Sequence, residues 1–327
     1  MTANVYLNAY LAPLAPWLSR PDVTDVLINR PGEVWIETAG GVMSREPADE
    51  LDEQALQRLA RQIAAASHQG VNREQPLLSA TLPEGARVQI CAPPATRGGL
   101  IMAVRKHVIS DLTVEDLARD GLFEAAHRAN PAAEAAADAE LEGLIEAGDL
   151  SGFLKAAVRR RKTIVISGGT GSGKTTLLNA LLKEVDRGER LVVIEDAPEV
   201  RLEHPNSVGL VAVRGDMGEA RVDADTLLAA ALRLRPDRIL LGELRGREAF
   251  AFLRAVNSGH PGSITTIHAD SPAGALDQIA LLALTSGIDL GWDKVTTYVN
   301  RVIDVVVQLD RVGGARRLSE VLFRPGR

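Results

Sequence analysis

At 327 residues, with 46% hydrophobic and 24% charged residues, the chain has ordinary globular usage and the length of about two domains, which excludes a disordered tail or a fibrous repeat. A net charge of −6 and an aromatic content of 3% disfavour a protein that holds nucleic acid by phosphate neutralisation or base stacking. A single cysteine, Cys91, excludes an intrachain disulfide framework and a four-cysteine zinc module, fits a reducing compartment, and reads as a small buried hydrophobe.

The first eighteen residues make a poor signal peptide, because no basic flank precedes Arg20 and Pro13 and Pro16 interrupt the apolar stretch. Nowhere do about 18 apolar residues run without a charge or a breaker, so the expectation is a soluble, cytoplasmic chain whose membrane attachment comes through a partner. Val23 to Ile28 and Glu33 to Glu37 flank the turn-rich tetrad 29–32, which predicts a hairpin. Leu51 to Ala66 sets Leu56, Leu59 and Ile63 at helical spacing. Strand-like patterning resumes at Arg87 to Cys91 and Leu100 to Arg105, around Pro93-Pro94 and Gly98-Gly99. Residues 1–110 therefore read as an N-terminal α+β domain.

Residues 111–162 change texture to helix and read as a helical linker, with the mobile part expected in the Ala-rich stretch Ala125 to Ala139. Thr113 with Asp116 has the spacing of a capping box, Asn130-Pro131 is a second helix start, and Ala125 to Ala139 has helix propensity with little to bury. The basic run Arg159 to Lys162 reads as a solvated face. From 163 to 327 short apolar strands at Thr163 to Ser167, Leu191 to Ile194, Ile239 to Leu241, Ile264 to Ile267 and Val302 to Leu309 alternate, in the early part, with helices at Lys174 to Val185, Ala224 to Leu234 and Arg247 to Asn257. This predicts an α/β domain with a largely parallel sheet covered by helices.

The strongest chemical signal is Gly168-Gly169-Thr170-Gly171-Ser172-Gly173-Lys174-Thr175, with Thr176 beginning the helix proper. A strand before it and a helix after it are the context a phosphate-binding P-loop requires. Glycines let successive backbone N–H groups converge on an anion, the helix N-terminus adds partial positive charge, and Lys174 supplies a point charge for the β- and γ-phosphates. Thr175 offers a hydroxyl to Mg2+. Downstream, Arg238 to Leu241 is an apolar strand that runs through Gly242 into Glu243, a Walker B design in which glycine stands where many P-loop enzymes carry Asp. Glu243 must then steer the Mg2+ shell or polarise the attacking water. The strand before it ends in Glu195-Asp196 with Glu199 close behind; Glu195 is placed first among these to face metal or water, and which acid activates water stays open. Ser263 to Ile267 ends in His268, which suits a γ-phosphate sensor. Neither an N-K-x-D element nor an L-S-G-G-Q signature is present, which favours ATP over GTP and disfavours a transporter cassette.

Together, Ile194 to Glu199, Leu234 to Gly246 and Ser258 to Asp270 resemble the Asp box, Walker B and His box of the secretion traffic ATPases, with wording similar to the VirB-eleven branch of type IV secretion systems. Gly85 to Gln89, Pro93-Pro94 and Met102 to Lys106 resemble that family's N-domain segments. The resemblance implies a RecA-like P-loop ATPase domain behind a smaller N-domain. It also implies Mg2+ and ATP as ligands, a homohexameric ring peripheral to the cytoplasmic face of the inner membrane, and secretion-channel components as partners without direct nucleic acid contact. In that family the nucleotide lies between the domains and N-domain arginines reach its phosphates, here Arg87 and Arg105. Three alternatives stand beside it: a tight-adherence or type II-like pilus ATPase, an ATP-gated scaffold with little turnover, and a DNA-pumping motor, which the acidic balance disfavours.

Overall fold

The computed structural model describes residues 2–106, 113–119, 121–124, 131–213 and 218–325. The tetrad after Val23 indeed reverses the chain: β1 (Val23–Ile28) pairs antiparallel with β2 (Gly32–Thr38), Val26 opposite Ile36 and Leu27 opposite Trp35. With β3 (Met43–Ala48), β4 (Leu77–Thr81), β5 (Arg87–Cys91) and β6 (Ile101–Arg105) they form a six-stranded sheet ordered β3-β2-β1-β6-β5-β4. The helix expected at Leu51 starts slightly later, as α3 (Glu53–Ala66), because Asp52 takes the cap and accepts the Ala55 N–H at 2.7 Å. Before the sheet lie α1 (Thr2–Leu11), a 3-10 turn (Ala12–Leu14) and the short helix α2 (Ala15–Leu18), which bury Leu7, Leu14 and Trp17 in the same core as α3.

Side-chain alternation explains why these strands are apolar almost throughout. Val26, Ile28, Val34, Ile36, Val88, Ile90, Met102 and Val104 face α3, whereas Leu27, Trp35, Cys91, Ile101 and Ala103 point the other way and join the core of the C-terminal half. Fully burying one such side chain stabilises by about 1.5–3 kcal/mol, so the two halves are cemented by shared apolar surface. Polar groups cross the same seam. Fully buried Arg190 donates to Asn29 and Asn206 and to the Leu234 carbonyl at 2.8 Å, and Arg235 forms a forked ion pair with Glu37. Cys91 is fully buried, and burial pushes its thiol up to about 12.

Between the two sheets come α4 (Val114–Arg119), α5 (Pro131–Glu146) and α6 (Leu150–Arg159). The Thr113/Asp116 capping box forms, with the Asp116 N–H donating to Thr113 Oγ1 at 3.1 Å and Thr113 N–H to Asp116 Oδ2 at 3.0 Å. Asn130 and the first half of the Ala-rich stretch lie outside the described residues. In α6, Phe153, Leu154, Ala157 and Val158 form one apolar stripe seated on the C-terminal sheet together with Leu141 of α5. In the basic run Arg159 and Arg160 are exposed, as a solvated face would have them, while Arg159 pairs with Glu184 and Lys162 with Asp138, each at 2.7 Å, and Arg161 pairs with Glu189 at 3.5 Å.

The second sheet has seven strands in the order β13-β12-β7-β11-β10-β8-β9: β7 (Ile164–Gly168), β8 (Leu191–Glu195), β9 (Ser207–Val211), β10 (Arg238–Leu241), β11 (Ile264–Ile267), β12 (Val305–Val312) and β13 (Ala315–Phe323). All neighbours are parallel except the β12–β13 hairpin. On one face lie α5, α6 and α7 (Lys174–Leu182); on the other lie α8 (Ala224–Ala231), α9 (Glu248–Asn257), α10 (Pro272–Leu284) and α11 (Trp292–Val302). This RecA-like layering puts the carboxyl ends of β7, β8, β10 and β11 side by side, where open parallel sheets bind ligands. β12 starts three residues later than expected because Val302 closes α11 and Asp304 turns back to accept the Thr163 N–H at 2.7 Å. Among the described residues no helix is long and apolar enough to cross a membrane.

Candidate nucleotide-binding site

The P-loop begins where β7 runs out. Gly168 has φ +154°, and a Cβ built there would stand 2.4 Å from the Leu309 carbonyl and 2.6 Å from Ser172 Oγ, so only glycine lets the chain leave the sheet at this point. Gly173 caps α7 with φ +101°, and the loop's amides are gathered at the helix N-terminus. Gly169, Thr170 and Gly171 are exposed, Ser172 is buried, and Thr175 is half-buried beside the more exposed Thr176. Lys174 Nζ donates to the carbonyls of Gly168 at 2.8 Å and Gly169 at 3.1 Å, and stands 3.3 Å from His268 Nδ1. Burial lowers the lysine's proton affinity, with Arg245 acting the same way and Glu243 opposing; an incoming phosphate relieves that cost.

Glu243 leaves the end of β10 into the same cavity, which measures about 300 Å3 and is also lined by Thr175, Glu199, Gly242, Arg245 and Thr266. Its Oε1 lies 2.7 Å from His268 Nε2, and its Oε2 is held by the Arg245 guanidinium, whose own pKa is raised chiefly by that hydrogen bond. Lys174, His268 and Glu243 thus form one continuous polar chain from P-loop to Walker B. Arg245 is held in turn because Glu248, at the start of α9, accepts the backbone N–H groups of Arg245 and Gly246 at 2.8 Å each.

The acids after β8 divide their work differently from the sequence expectation. Glu195 is buried: its Oε1 accepts the N–H groups of Glu199 at 3.0 Å and Val200 at 2.8 Å, and its Oε2 is ion-paired with Arg97. With both oxygens engaged, Glu195 is a structural clamp, and Glu199 is the acid beside the P-loop, accepting from Thr175 Oγ1 at 3.1 Å. Two hard oxygen donors at that spacing fit Mg2+, which keeps much of its water shell and takes few protein ligands. Glu195 also explains Gly242, since a Cβ there would lie 2.9 Å from Glu195 Cγ. Gly242→Asp should therefore crowd a second carboxylate against the clamp and destabilise by about 1–3 kcal/mol, read as a lower thermal midpoint. An unchanged midpoint would show that the space is not tight.

Arg87 and Arg105 are not brought to the chain's own P-loop. They are direct cross-strand partners on β5 and β6, and they line a separate cleft of about 550 Å3 closed by Leu232 and Arg233 at the end of α8. Arg105 pairs with Asp25 at 2.9 Å. The N-domain arginine that pairs with an acid lining the site is Arg97, which holds Glu195. Its segment pairs with the free edge of β9, Arg97 N–H donating to Gly209 O at 3.0 Å and Val211 N–H to Ala95 O at 2.9 Å. The Arg97 side chain then crosses Gly209, where a Cβ would meet Arg97 Cδ at 2.4 Å, and donates to Val200 O at 2.5 Å. The only sequence signal for this was a Gly98-Gly99 turn after Pro93-Pro94; Arg245 was legible as the second residue after Glu243.

Residues 8–314 match the family described as "Type II/IV secretion system protein". The chain is similar to the type IV secretion system protein VirB11 of Brucella suis, 40% identical over 330 residues that cover 98% of this chain and 90% of that protein. It is also 40% identical to the type IV secretion system protein PtlH of Bordetella pertussis over 331 residues, covering 98% and 96%. Among solved structures, the VirB11 ATPase of the Brucella suis type IV secretion system, in complex with sulphate, superposes with a TM-score of 0.90 at 39% identity, covering 98% of this chain and 95% of that one.

Proposed function

We propose, for a chain that belongs to the type II/IV secretion system proteins and is an ATPase of their VirB11 branch, that it hydrolyses Mg2+-bound ATP as a homohexamer on the cytoplasmic face of the inner membrane to power type IV secretion. The observation that carries the reading is the Lys174–His268–Glu243 chain across the mouth of the sheet. The loop amides and Lys174 take the phosphates, and Lys174 and His268 turn towards the γ-phosphate. His268 thereby releases Glu243 Oε1, which polarises the attacking water while Arg245 keeps the carboxylate aimed. Thr175, with Glu199 beside it and Glu243 through water, would hold Mg2+, which supplies charge neutralisation on the phosphates when bound. Loss of the γ-phosphate lets His268 return to Glu243, a local event at the end of β10, whose neighbour β8 is tied to the N-domain through Glu195 and Arg97.

Arg87 and Arg105 find their phosphate in this reading across a ring interface, at a neighbouring copy's P-loop. Native mass spectrometry with a nonhydrolysable ATP analogue tests the assembly: six copies are expected, and a persistent monomer would refute the ring. A scaffold that binds ATP without turnover is separated by steady-state phosphate release. The named relatives belong to type IV secretion systems, which favours that role over pilus assembly.

A further inference from the structure

Beyond the residues assigned above, the C-terminal hairpin carries an unexplained concentration of positive charge beside the P-loop. β12 presents Val305, Val307 and Leu309 to the α6–α7 core, and Arg311 is the next residue on that face. On β13, Leu318 packs against the same core and Arg316 is two residues before it. The register sets Arg311 directly opposite Arg316, with Gly313-Gly314 making the turn in the left-handed region. Like charges placed opposite each other destabilise an antiparallel pair. By contrast, the adjacent cross-strand pair, Asp310 with Arg317, joins opposite charges.

Where the apolar row gives way to arginine, it passes the glycine-rich loop. A Cβ built on Gly171 would stand 3.7 Å from Arg311 Nη1, and one built on Gly173 would stand 3.1 Å from Arg316 Cδ and 4.0 Å from its Nη1. Both arginines are exposed, and neither makes an ion pair among the described residues. They lie next to the N-terminus of α7, whose dipole itself repels cations, and near Lys174. Four sources of positive potential on one short loop are mutually unfavourable unless an anion sits among them. The sheet order fixes which part of the anion they meet. β12 flanks β7 on one side, while β11, β10 and β8, with His268, Glu243 and the acids, lie on the other.

Resting on the ATP-binding reading, we propose that Arg311 and Arg316 clasp the phosphate chain of the nucleotide at its α/β end, opposite Glu243, and so set affinity for ATP and ADP alike. Arginine suits this because its planar fork donates two bonds to one phosphate.

Calorimetric titration of MgATP and MgADP into wild type, Arg311→Ala, Arg316→Ala and the double variant tests it, with thermal unfolding of each nucleotide-free protein alongside. Each single variant should weaken both nucleotides by about tenfold, and the double variant by roughly a hundredfold. The nucleotide-free thermal midpoint should hold or rise, because a like-charge pair is relieved. The variant retaining charge at both positions, R311K/R316K, should recover part of the affinity. Equal affinity in wild type and the double variant would overturn the clasp while leaving the ATPase reading intact, and weakening of ATP alone would overturn its placement. No binding by wild type would remove both readings.

Discussion

Glu243→Gln is expected to cut phosphate release by about 10²–10⁴-fold while leaving ATP affinity within a few-fold of wild type. The amide keeps the size of the carboxylate but has one acceptor oxygen in place of two, so it can accept from Arg245 or from His268 and not from both, and it cannot take up a proton or polarise water as strongly. Lys174→Ala should instead lose affinity and turnover together, because the same ammonium lies against the loop and touches His268 at 3.3 Å. The contrast is diagnostic: a Gln variant that binds and does not turn over places Glu243 at the chemical step. A near-wild-type rate in the Gln variant would remove it from that role. Steady-state phosphate release and equilibrium binding on the same preparations measure both quantities.

The second large effect is on stability. Arg97 and Glu195 join the N-domain to the strand beside Walker B, and both are largely buried, with side chains 15% and 3% exposed. Arg97→Ala leaves a buried carboxylate with two amide donors and no counter-charge, while Glu195→Ala strands a buried guanidinium whose protonation burial already disfavours, along with two amides. Either change should cost ~3–5 kcal/mol, and the paired removal less than the sum, because the double variant buries no lone charge. Denaturant unfolding of the four proteins in a double-mutant cycle measures this. Strict additivity would show that the two groups do not act as a pair. Because the 95–97 segment is also the antiparallel clip on β9, the variants should raise amide exchange at Val211 and at residue 97, whose N–H groups close the clip, ahead of the rest of the sheet.

What the sequence made legible follows the strength of local physics. The hairpin at 29–32, the P-loop and its flanking elements, and the parallel strands ending in Glu195, Glu243 and His268 were readable because each is marked by continuous apolar runs or by glycines whose backbone no other residue adopts. β3 and β13 were not anticipated, since Met43–Ala48 and Ala315–Phe323 are exposed edge strands whose polar residues give no alternation of the usual kind. α10 was missed for the opposite reason, being apolar on most sides and buried between α9 and β12. Lys174, Thr175, Glu195, Glu199, Glu243 and His268 do line one cavity, but Arg87 and Arg105 do not, and neither Arg245 nor the arrangement of the acids was read from the sequence. That Glu195 is a clamp, Glu199 the acid at Thr175, and Arg97 the N-domain residue that holds Glu195 depends on the 95–97 segment joining β9 across more than a hundred residues of chain. No local pattern encodes such a pairing.

The account is tested most directly by Mg2+-dependent ATP hydrolysis of the purified wild-type protein, followed as phosphate release with ATP affinity measured in parallel. Saturable binding, turnover that stops when Mg2+ is chelated, and loss of that turnover in Glu243→Gln are the predicted results. A wild-type protein that neither binds MgATP nor releases phosphate would contradict it.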